Sequence, residues 1–205
     1  DQALIFGLLL SFISVFSLSY FTNSLSGLLL LFTILFYLFV YTIWLKKKTP
    51  QNIVIGGASG ALPPVIGWTI ATNNITLEPI TFFLIIFFWT PSHFWALSLY
   101  KADDYKKAKI PMLPLTDGVQ KTKLNIFIYS IIMLPVVILP YVINFAGLVY
   151  LIPSLLLTFY YIYVCYDLFK FKKNKFDIKQ AKKVFGYSIL YLFLIFLLFI
   201  FDNLI

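Results

Sequence analysis

The chain has 205 residues and a net charge of +8, and 61% of its residues are hydrophobic while only 12% are charged. A soluble domain is nearer half apolar and a quarter charged, so this composition excludes a soluble fold and a disordered chain. It also excludes a nucleic-acid-binding domain, which needs a basic face on a soluble fold. The single histidine excludes a zinc site with two histidines, and the single cysteine excludes an internal disulfide.

Long apolar runs separated by short polar breaks predict about seven transmembrane helices, each close to the ~20 residues that cross a bilayer core. The predicted helices cover residues 3–22, 25–45, 53–72, 80–100, 124–143, 147–168 and 184–203. The sequence therefore predicts an all-α, polytopic membrane helix bundle that forms one domain over residues 1–205 within a lipid bilayer.

The placement of positive charge predicts how these helices are oriented. All 16 basic residues are lysines, and they fall in three alternate stretches between the runs: Lys46–Lys48, Lys101–Lys123 and Lys170–Lys183. The intervening connections carry no lysine. By the positive-inside rule the lysine-bearing face is cytoplasmic, so the N-terminus is expected inside and the C-terminus outside an inner (cytoplasmic) membrane.

The third run departs from a uniform lipid-facing helix. Gly56 and Gly60 form a small-residue pair that lets two helices approach closely, and Pro63 and Pro64 bend the helix. Two interpretations remain open for this run: tight packing with a kink, or a broken helix that lines a substrate cavity.

A second unusual stretch is WTPSHFWALSLYKADDYKKAKIPMLPLTDG, residues Trp89–Gly118. It contains the only histidine, His93, and the adjacent carboxylates of Asp103 and Asp104 beside several lysines. The charges are either a solvated cluster at a membrane surface or a magnesium-diphosphate site. The second interpretation follows because Mg²⁺ binds carboxylates together with phosphate oxygens, and lysine supplies point charges to phosphate.

His93 and Asp104 are eleven residues apart, so they share a face of a continuous helix with backbones roughly 16 Å apart. That spacing would put His93 inside the membrane and Asp104 at its edge. His93 is expected either to bond to a neighbouring helix or to face a second substrate, since ionisable groups within a membrane are candidates for function.

Two blocks of the sequence, YTIWLKKKTPQNIVIGGASGALPPVIGW (Tyr41–Trp68) and WTPSHFWALSLYKADDYKKAKIPMLP (Trp89–Pro114), resemble the haem branch of the UbiA superfamily of intramembrane prenyltransferases. Members of this superfamily have nine helices and two cytoplasmic aspartate-rich motifs. The second motif corresponds to Lys101–Tyr105, and the first, N-D-x-x-D-x-x-x-D, is absent from this sequence. The chain is therefore expected to be an N-terminally incomplete member that is inactive by itself. The usual Pro-Pro before the histidine is Pro91–Ser92 here.

The resemblance implies transfer of a farnesyl group from farnesyl diphosphate to a vinyl group of haem b, giving haem O, with Mg²⁺ as the cofactor and haem A synthase or terminal oxidase assembly downstream. Asp104, and more weakly Asp103, is implied as a magnesium ligand, and His93 as a catalytic residue that ligates haem iron or holds the attacking water. The diphosphate is expected to contact Lys46, Lys47, Thr49, Asn52, Lys101 and Tyr105.

Other functions are compatible with parts of the sequence. A UbiA prenyltransferase with a quinone or aromatic acceptor is one alternative, although the block W-T-P-S-H-F-W favours the haem branch. A small transporter subunit is another, but the carboxylates lie at one membrane edge and no internal repeat is visible. A non-catalytic remnant with half of its metal site is the third.

Overall fold

The computed structural model describes residues 2–170 and 178–204, and within these residues it contains helices and no strand. Seven helical segments are long and apolar enough to cross a membrane, which confirms the predicted number of spans and the all-α fold class. In chain order the elements are α1 (Gln2–Phe21), α2 (Ser24–Leu35), a π-helical segment (Phe36–Leu45), α3 (Asn52–Ala61), α4 (Pro63–Thr72), α5 (Leu77–Tyr100), α6 (Ala102–Lys107), α7 (Leu113–Thr116), α8 (Val119–Val142), α9 (Leu148–Lys170) and α10 (Ile178–Asp202).

Three helices begin earlier than their apolar runs predict: α5 at Leu77 instead of 80, α8 at Val119 instead of 124, and α10 at Ile178 instead of 184. The extra turns of α8 and α10 contain lysines, while that of α5 is Leu77–Pro79. Lysines can extend their apolar stems along a helix and keep the ammonium in water, so α8 and α10 continue beyond their apolar runs. The predicted charges at Lys172, Lys173 and Lys175 lie outside the described residues.

Four long helices form a closed ring, in which α5 packs on α8, α8 on α9, α9 on α10 and α10 on α5. Buried hydroxyls in this ring bond between helices: Ser92 Oγ lies 2.7 Å from Tyr161 OH, and Thr158 Oγ1 lies 2.9 Å from Tyr191 OH. Such bonds satisfy polar groups in a lipid environment, where water is not available. Helix α5 is therefore held in place by α8 and α10.

The remaining spans are arranged in order outward from α5. Both α3 and α4 pack on α5, the π-helical segment packs on α3, α2 packs on α4 and on the π-helical segment, and α1 packs on α2. Every described side chain of α1 is at least partly exposed. Helix α5 therefore contacts both the ring of four helices and the remaining spans.

The third run packs tightly at Gly57, but a Cβ atom on Gly60 of the predicted pair would meet nothing within 4 Å, and a substrate cavity along this run stays a prediction. A Cβ atom on Gly57 would lie 3.0 Å from Thr90 Cγ2, so the missing side chain allows α3 to pack tightly on α5. The run is also broken, because α3 ends at Ala61 and α4 begins at Pro63. Proline is tolerated in a first helical turn, where its missing N–H has no partner to lose.

The predicted end of this helix at 100 is confirmed, so the geometry of a continuous helix from His93 to Asp104 does not apply. Helix α5 ends at Tyr100, and Lys101 leaves helical geometry with φ −111° and ψ 21°. A new helix then begins, with the Asp104 and Tyr105 N–H groups donating to Lys101 O at 3.1 and 3.2 Å. The shared face and the 16 Å separation assumed an unbroken helix, so neither applies. Pro91 does not interrupt α5, which runs through it.

Candidate functional site

The end of the bundle that carries the loop 46–51, the segment 101–118 and the beginning of α10 is called here the lysine-rich end. Asp103 and Asp104 are exposed there on α6. Lys101 Nζ lies 3.1 Å from Asp104 Oδ2, and the two side chains are 54% and 63% exposed. An ion pair so exposed contributes little to stability, so the lysine and the carboxylate remain available to a charged ligand.

Tyr105 lies directly after these carboxylates and is half-buried. Burial raises the pKa of its phenol, and the nearby Tyr100 and Asp104 raise it further. The hydroxyl therefore stays protonated near neutral pH and keeps its proton for a hydrogen bond.

The loop 46–51 presents lysines and is closed from beneath by a buried amide. Asn52 is fully buried, and its Nδ2 donates to Thr49 O at 2.6 Å and to Lys46 O at 3.5 Å. Lys47 is exposed, and Lys46 Nζ lies 5.9 Å from the centre of the Tyr41 ring. Asn52 thus holds the backbone of the loop, and the lysines carry the charge of the loop. Contact of Asn52, Thr49, Lys46 or Lys47 with diphosphate stays a prediction.

An apolar cavity of about 1070 Å³ lies between α1, α2, the π-helical segment, α3 and α5. Tyr41 lines it, and Gly56 and Gly60 form part of its wall. On the α5 side it is bounded by Trp89 and Thr90. It is large enough for a small-molecule ligand, for which sites typically measure roughly 300–1,000 Å³. We call it the first cavity; its mostly apolar lining suits a hydrocarbon chain.

His93 is 8% exposed and lines a second cavity of about 570 Å³ between α4, α5 and α10. Its Nδ1 lies 2.7 Å from Ser188 Oγ on α10, so it bonds to a neighbouring helix and also borders a cavity. The imidazole stacks between Trp89 and Phe185, with ring centres 4.2 and 4.5 Å away. The second cavity shares Ile86 and Trp89 with the first, so α5 separates the two.

Sequence reasoning missed the contribution of α10. Lys182 Nζ lies 5.7 Å from the centre of the Tyr100 ring, which meets Phe185 edge-on at 5.8 Å. Lys182, Phe185 and Ser188 are spaced three residues apart, so they follow one stripe of the helix. A serine within an apolar span was the available signal, but its partner lies 95 positions away in the chain.

The described residues contain no group of three or more histidine, cysteine or acidic side chains that could hold a metal. Asp103 and Asp104 supply hard carboxylate oxygens at an exposed position, and this donor type fits Mg²⁺, which binds few protein carboxylates and completes its shell with water and phosphate. The two aspartates therefore fit part of a magnesium-diphosphate site.

The fold and this site define a multi-pass membrane protein with a charged rim above two apolar cavities. The sequence profile of the UbiA prenyltransferase family matches residues 1–197, and the chain belongs to this family. The predicted superfamily and membrane fold are confirmed, and membership favours a prenyltransferase over a transporter subunit.

Curated relatives named protoheme IX farnesyltransferase match nearly the whole chain. The Pelagibacter ubique protein is 73% identical over 203 residues, which cover 99% of this chain and 67% of the relative. Identity is 47% to the Parvibaculum lavamentivorans protein and 48% to the Rickettsia bellii protein, with 61% and 65% of those relatives and 95% and 97% of this chain covered. The chain thus spans about two thirds of the length of these relatives.

A solved structure concerned with digeranylgeranylglyceryl phosphate synthase has the same fold. The TM-score is 0.77 at 20% sequence identity, and the match covers 98% of this chain and 69% of that one. At this identity the likeness supports the arrangement of the helices alone.

Proposed function

We propose that this chain forms part of an enzyme that transfers a farnesyl group from farnesyl diphosphate to a vinyl group of haem b, giving haem O. The observation that carries the proposal is the position of α5. It lines both apolar cavities through Ile86 and Trp89 and ends at the charged segment Lys101–Asp104. Two apolar substrates could therefore lie on either side of one helix, below a rim suited to a diphosphate. The relatives' name supplies the acceptor.

The diphosphate would lie at the lysine-rich end. Asp104 and Asp103 would hold Mg²⁺, which when bound stabilises the negative charge that grows on the leaving group. Lys46, Lys47 and Lys101 would place point charges against the phosphate oxygens. Tyr105 would donate a hydrogen bond. Thr49 and Asn52 would act through the shape of the lysine loop.

The farnesyl chain would extend from that rim into the first cavity. The bond between C1 and the diphosphate oxygen breaks, and its electron pair leaves with diphosphate. The vinyl π electrons of haem b then form the bond to C1, and water adds to the resulting cation and releases a proton. The apolar lining excludes bulk water from the allylic cation, and aromatic faces such as Trp89 stabilise positive charge.

The acceptor would occupy the second cavity, on the other side of Trp89, and its vinyl edge would have to pass Ile86 and Trp89, the side chains shared by both cavities, to reach C1. His93 lines this cavity and would act on the haem side, either at the iron or on the attacking water. Haem O would then pass to a haem A synthase or to terminal oxidase assembly, which we expect as downstream partners.

We place the lysine-rich end on the cytoplasmic side of an inner membrane, with the N-terminus inside, because lysines flank these connections while the opposite connections lack them. Reporter fusions at Lys47 and Asp117 are expected to read as cytoplasmic and one at Asn74 as external. A cytoplasmic signal at Asn74 would contradict this orientation.

The carboxylates give the direct test of the reaction. In the complete gene product, produced in a strain without its own enzyme, Asp104→Asn is expected to lower haem O formation by about 10²–10³-fold, because it removes charge stabilisation of the leaving group. Asp103→Asn should lower it less. Asp117→Asn is the matched control, because this carboxylate already accepts from Thr116 and Lys121 and is not one of the proposed metal ligands. Haem extraction and chromatography give the yields. Full activity of Asp104→Asn would refute the assignment, and a prenylated quinone without haem O would point to the other acceptor class.

A further inference from the structure

A hydroxyl on α10 determines which nitrogen of His93 carries the proton. Ser188 Oγ donates to Phe185 O at 2.6 Å, and a carbonyl can only accept. A serine hydroxyl has one proton, so towards His93 the same oxygen must accept. The 2.7 Å contact with His93 therefore runs from Nδ1–H to Oγ. A neutral imidazole protonated at Nδ1 has its lone pair at Nε2.

The surroundings hold the ring in this state. Trp89 and Phe185 stack on its two faces with interplanar angles of 21° and 24°. Trp89 Nε1 also donates to the Ser188 carbonyl at 2.8 Å, so the serine is bound to α5 through its backbone as well. Stacking and the hydrogen bond together oppose rotation of the imidazole, and they fix the direction in which Nε2 points.

Nε2 is the nitrogen that remains for an occupant of the second cavity. Within the described residues His93 makes its hydrogen bond through Nδ1 only, and its side chain lines the cavity together with Trp89 and apolar residues of α4 and α10. With Nδ1 engaged by Ser188, Nε2 is the ring atom whose lone pair can serve an occupant of this apolar, aromatic-lined space. An iron centre in a flat apolar macrocycle would satisfy both the nitrogen and the lining.

We propose that Ser188 is a positioning residue that holds His93 as the Nδ1–H tautomer and thereby presents Nε2 as an axial ligand to the iron of a porphyrin in the second cavity. The inference rests on the proposed function and commits His93 to the iron instead of the attacking water. Histidines that bind metals usually donate their other N–H to an acceptor, which orients the ring and raises its basicity. Here a serine hydroxyl supplies that acceptor.

The tautomer can be read without any substitution, because His93 is the only histidine of the chain. In protein labelled with ¹⁵N-histidine, the ring shifts are expected to show a protonated Nδ1 and an unprotonated Nε2 near neutral pH. A protonated Nε2 in the unliganded protein would overturn the proposal, and this readout does not depend on a variant that folds.

The second test titrates the purified full-length protein with iron protoporphyrin IX and records absorption and EPR spectra. The wild type is expected to show a nitrogen axial ligand, His93→Ala to lose it, and added imidazole to restore it. Ser188→Ala should weaken porphyrin affinity about 10–100-fold, the usual effect of losing such a partner, while Ser188→Thr should retain the affinity. Ser98→Ala is the matched control, because Ser98 is equally buried and donates to Trp95 O at 2.8 Å without touching His93.

The outcomes separate this inference from the proposed function. A nitrogen ligand that depends on His93 but is indifferent to Ser188→Ala would overturn the role of Ser188. Haem O formation by a wild type whose bound porphyrin lacks a nitrogen ligand would overturn the inference and leave the proposed function standing. A full-length protein that neither binds porphyrin nor forms haem O would refute both.

Discussion

Two glycines of α3 allow a matched test of how that helix supports the site. A Cβ atom on Gly56 would lie 2.9 Å from Tyr41 Cγ and overlap the ring edge, while a Cβ atom on Gly60 would meet nothing within 4 Å. Because the contact reaches the base of the ring, the whole Tyr41 side chain would have to swing away. That movement would break its contact with Tyr37, at 5.1 Å between ring centres, and move it from Lys46.

The two substitutions Gly56→Ala and Gly60→Ala differ in one energy contribution. Both replace glycine by alanine within a helix, which favours the helix by about 0.8–1.0 kcal/mol. Gly56→Ala also overpacks the contact with Tyr41, which typically costs about 1–3 kcal/mol. The helix preference cancels in the comparison, so Gly56→Ala is expected to be less stable than Gly60→Ala by about 1–3 kcal/mol. Gly60→Ala alone should stabilise the protein by up to about 1 kcal/mol.

Unfolding in detergent, followed by far-ultraviolet circular dichroism and tyrosine fluorescence, measures these differences in the free energy of unfolding. Haem O formation by Gly56→Ala reports whether Tyr41 and the lysine loop have moved, and it should fall. Equal stability of the two variants would refute the steric reasoning. So would a Gly60→Ala variant that is the less stable of the two.

Two further results are expected. Asp202 accepts from Gly147 N at 2.6 Å and Tyr150 N at 3.0 Å, so α10 caps the first turn of α9. Asp202→Ala should therefore lower the free energy of unfolding by about 0.5–2 kcal/mol, and Asp202→Asn should lower it by less. The reverse order in detergent unfolding would contradict the cap. The pKa of Tyr105 is raised above its usual value of 10.0, so this phenol stays protonated at physiological pH and loses its proton only above pH 10. The ratio of wild-type to Tyr105→Phe activity should therefore be constant between about pH 6 and 9. A slope of this ratio in a pH profile of haem O formation would disprove the prediction.

The sequence by itself determined the spans, the class of fold and the family. Apolar runs of ~20 residues cross a bilayer whatever their neighbours are, so their number follows from composition alone. The lysines of alternate connections and the carboxylates of Asp103 and Asp104 are likewise local features, because solvated charges must lie at the ends of such helices. The first residues predicted for three helices, at 80, 124 and 184, were wrong by three to six residues, since a helix extends beyond its apolar part.

Only the tertiary structure decided which faces of these helices meet. In a membrane span nearly every face is apolar, so hydrophobic periodicity does not mark the packed side as it does in a soluble helix. The pairing of His93 with Ser188, the stacking of the imidazole between Trp89 and Phe185, and the different surroundings of Gly56 and Gly60 all depend on helix contacts between distant parts of the chain. The apolar run predicted the end of α5 at 100, whereas the departure of Lys101 from helical geometry and the new helix from Ala102 did not follow from it, because Lys101 and Ala102 include no glycine or proline that would mark a break.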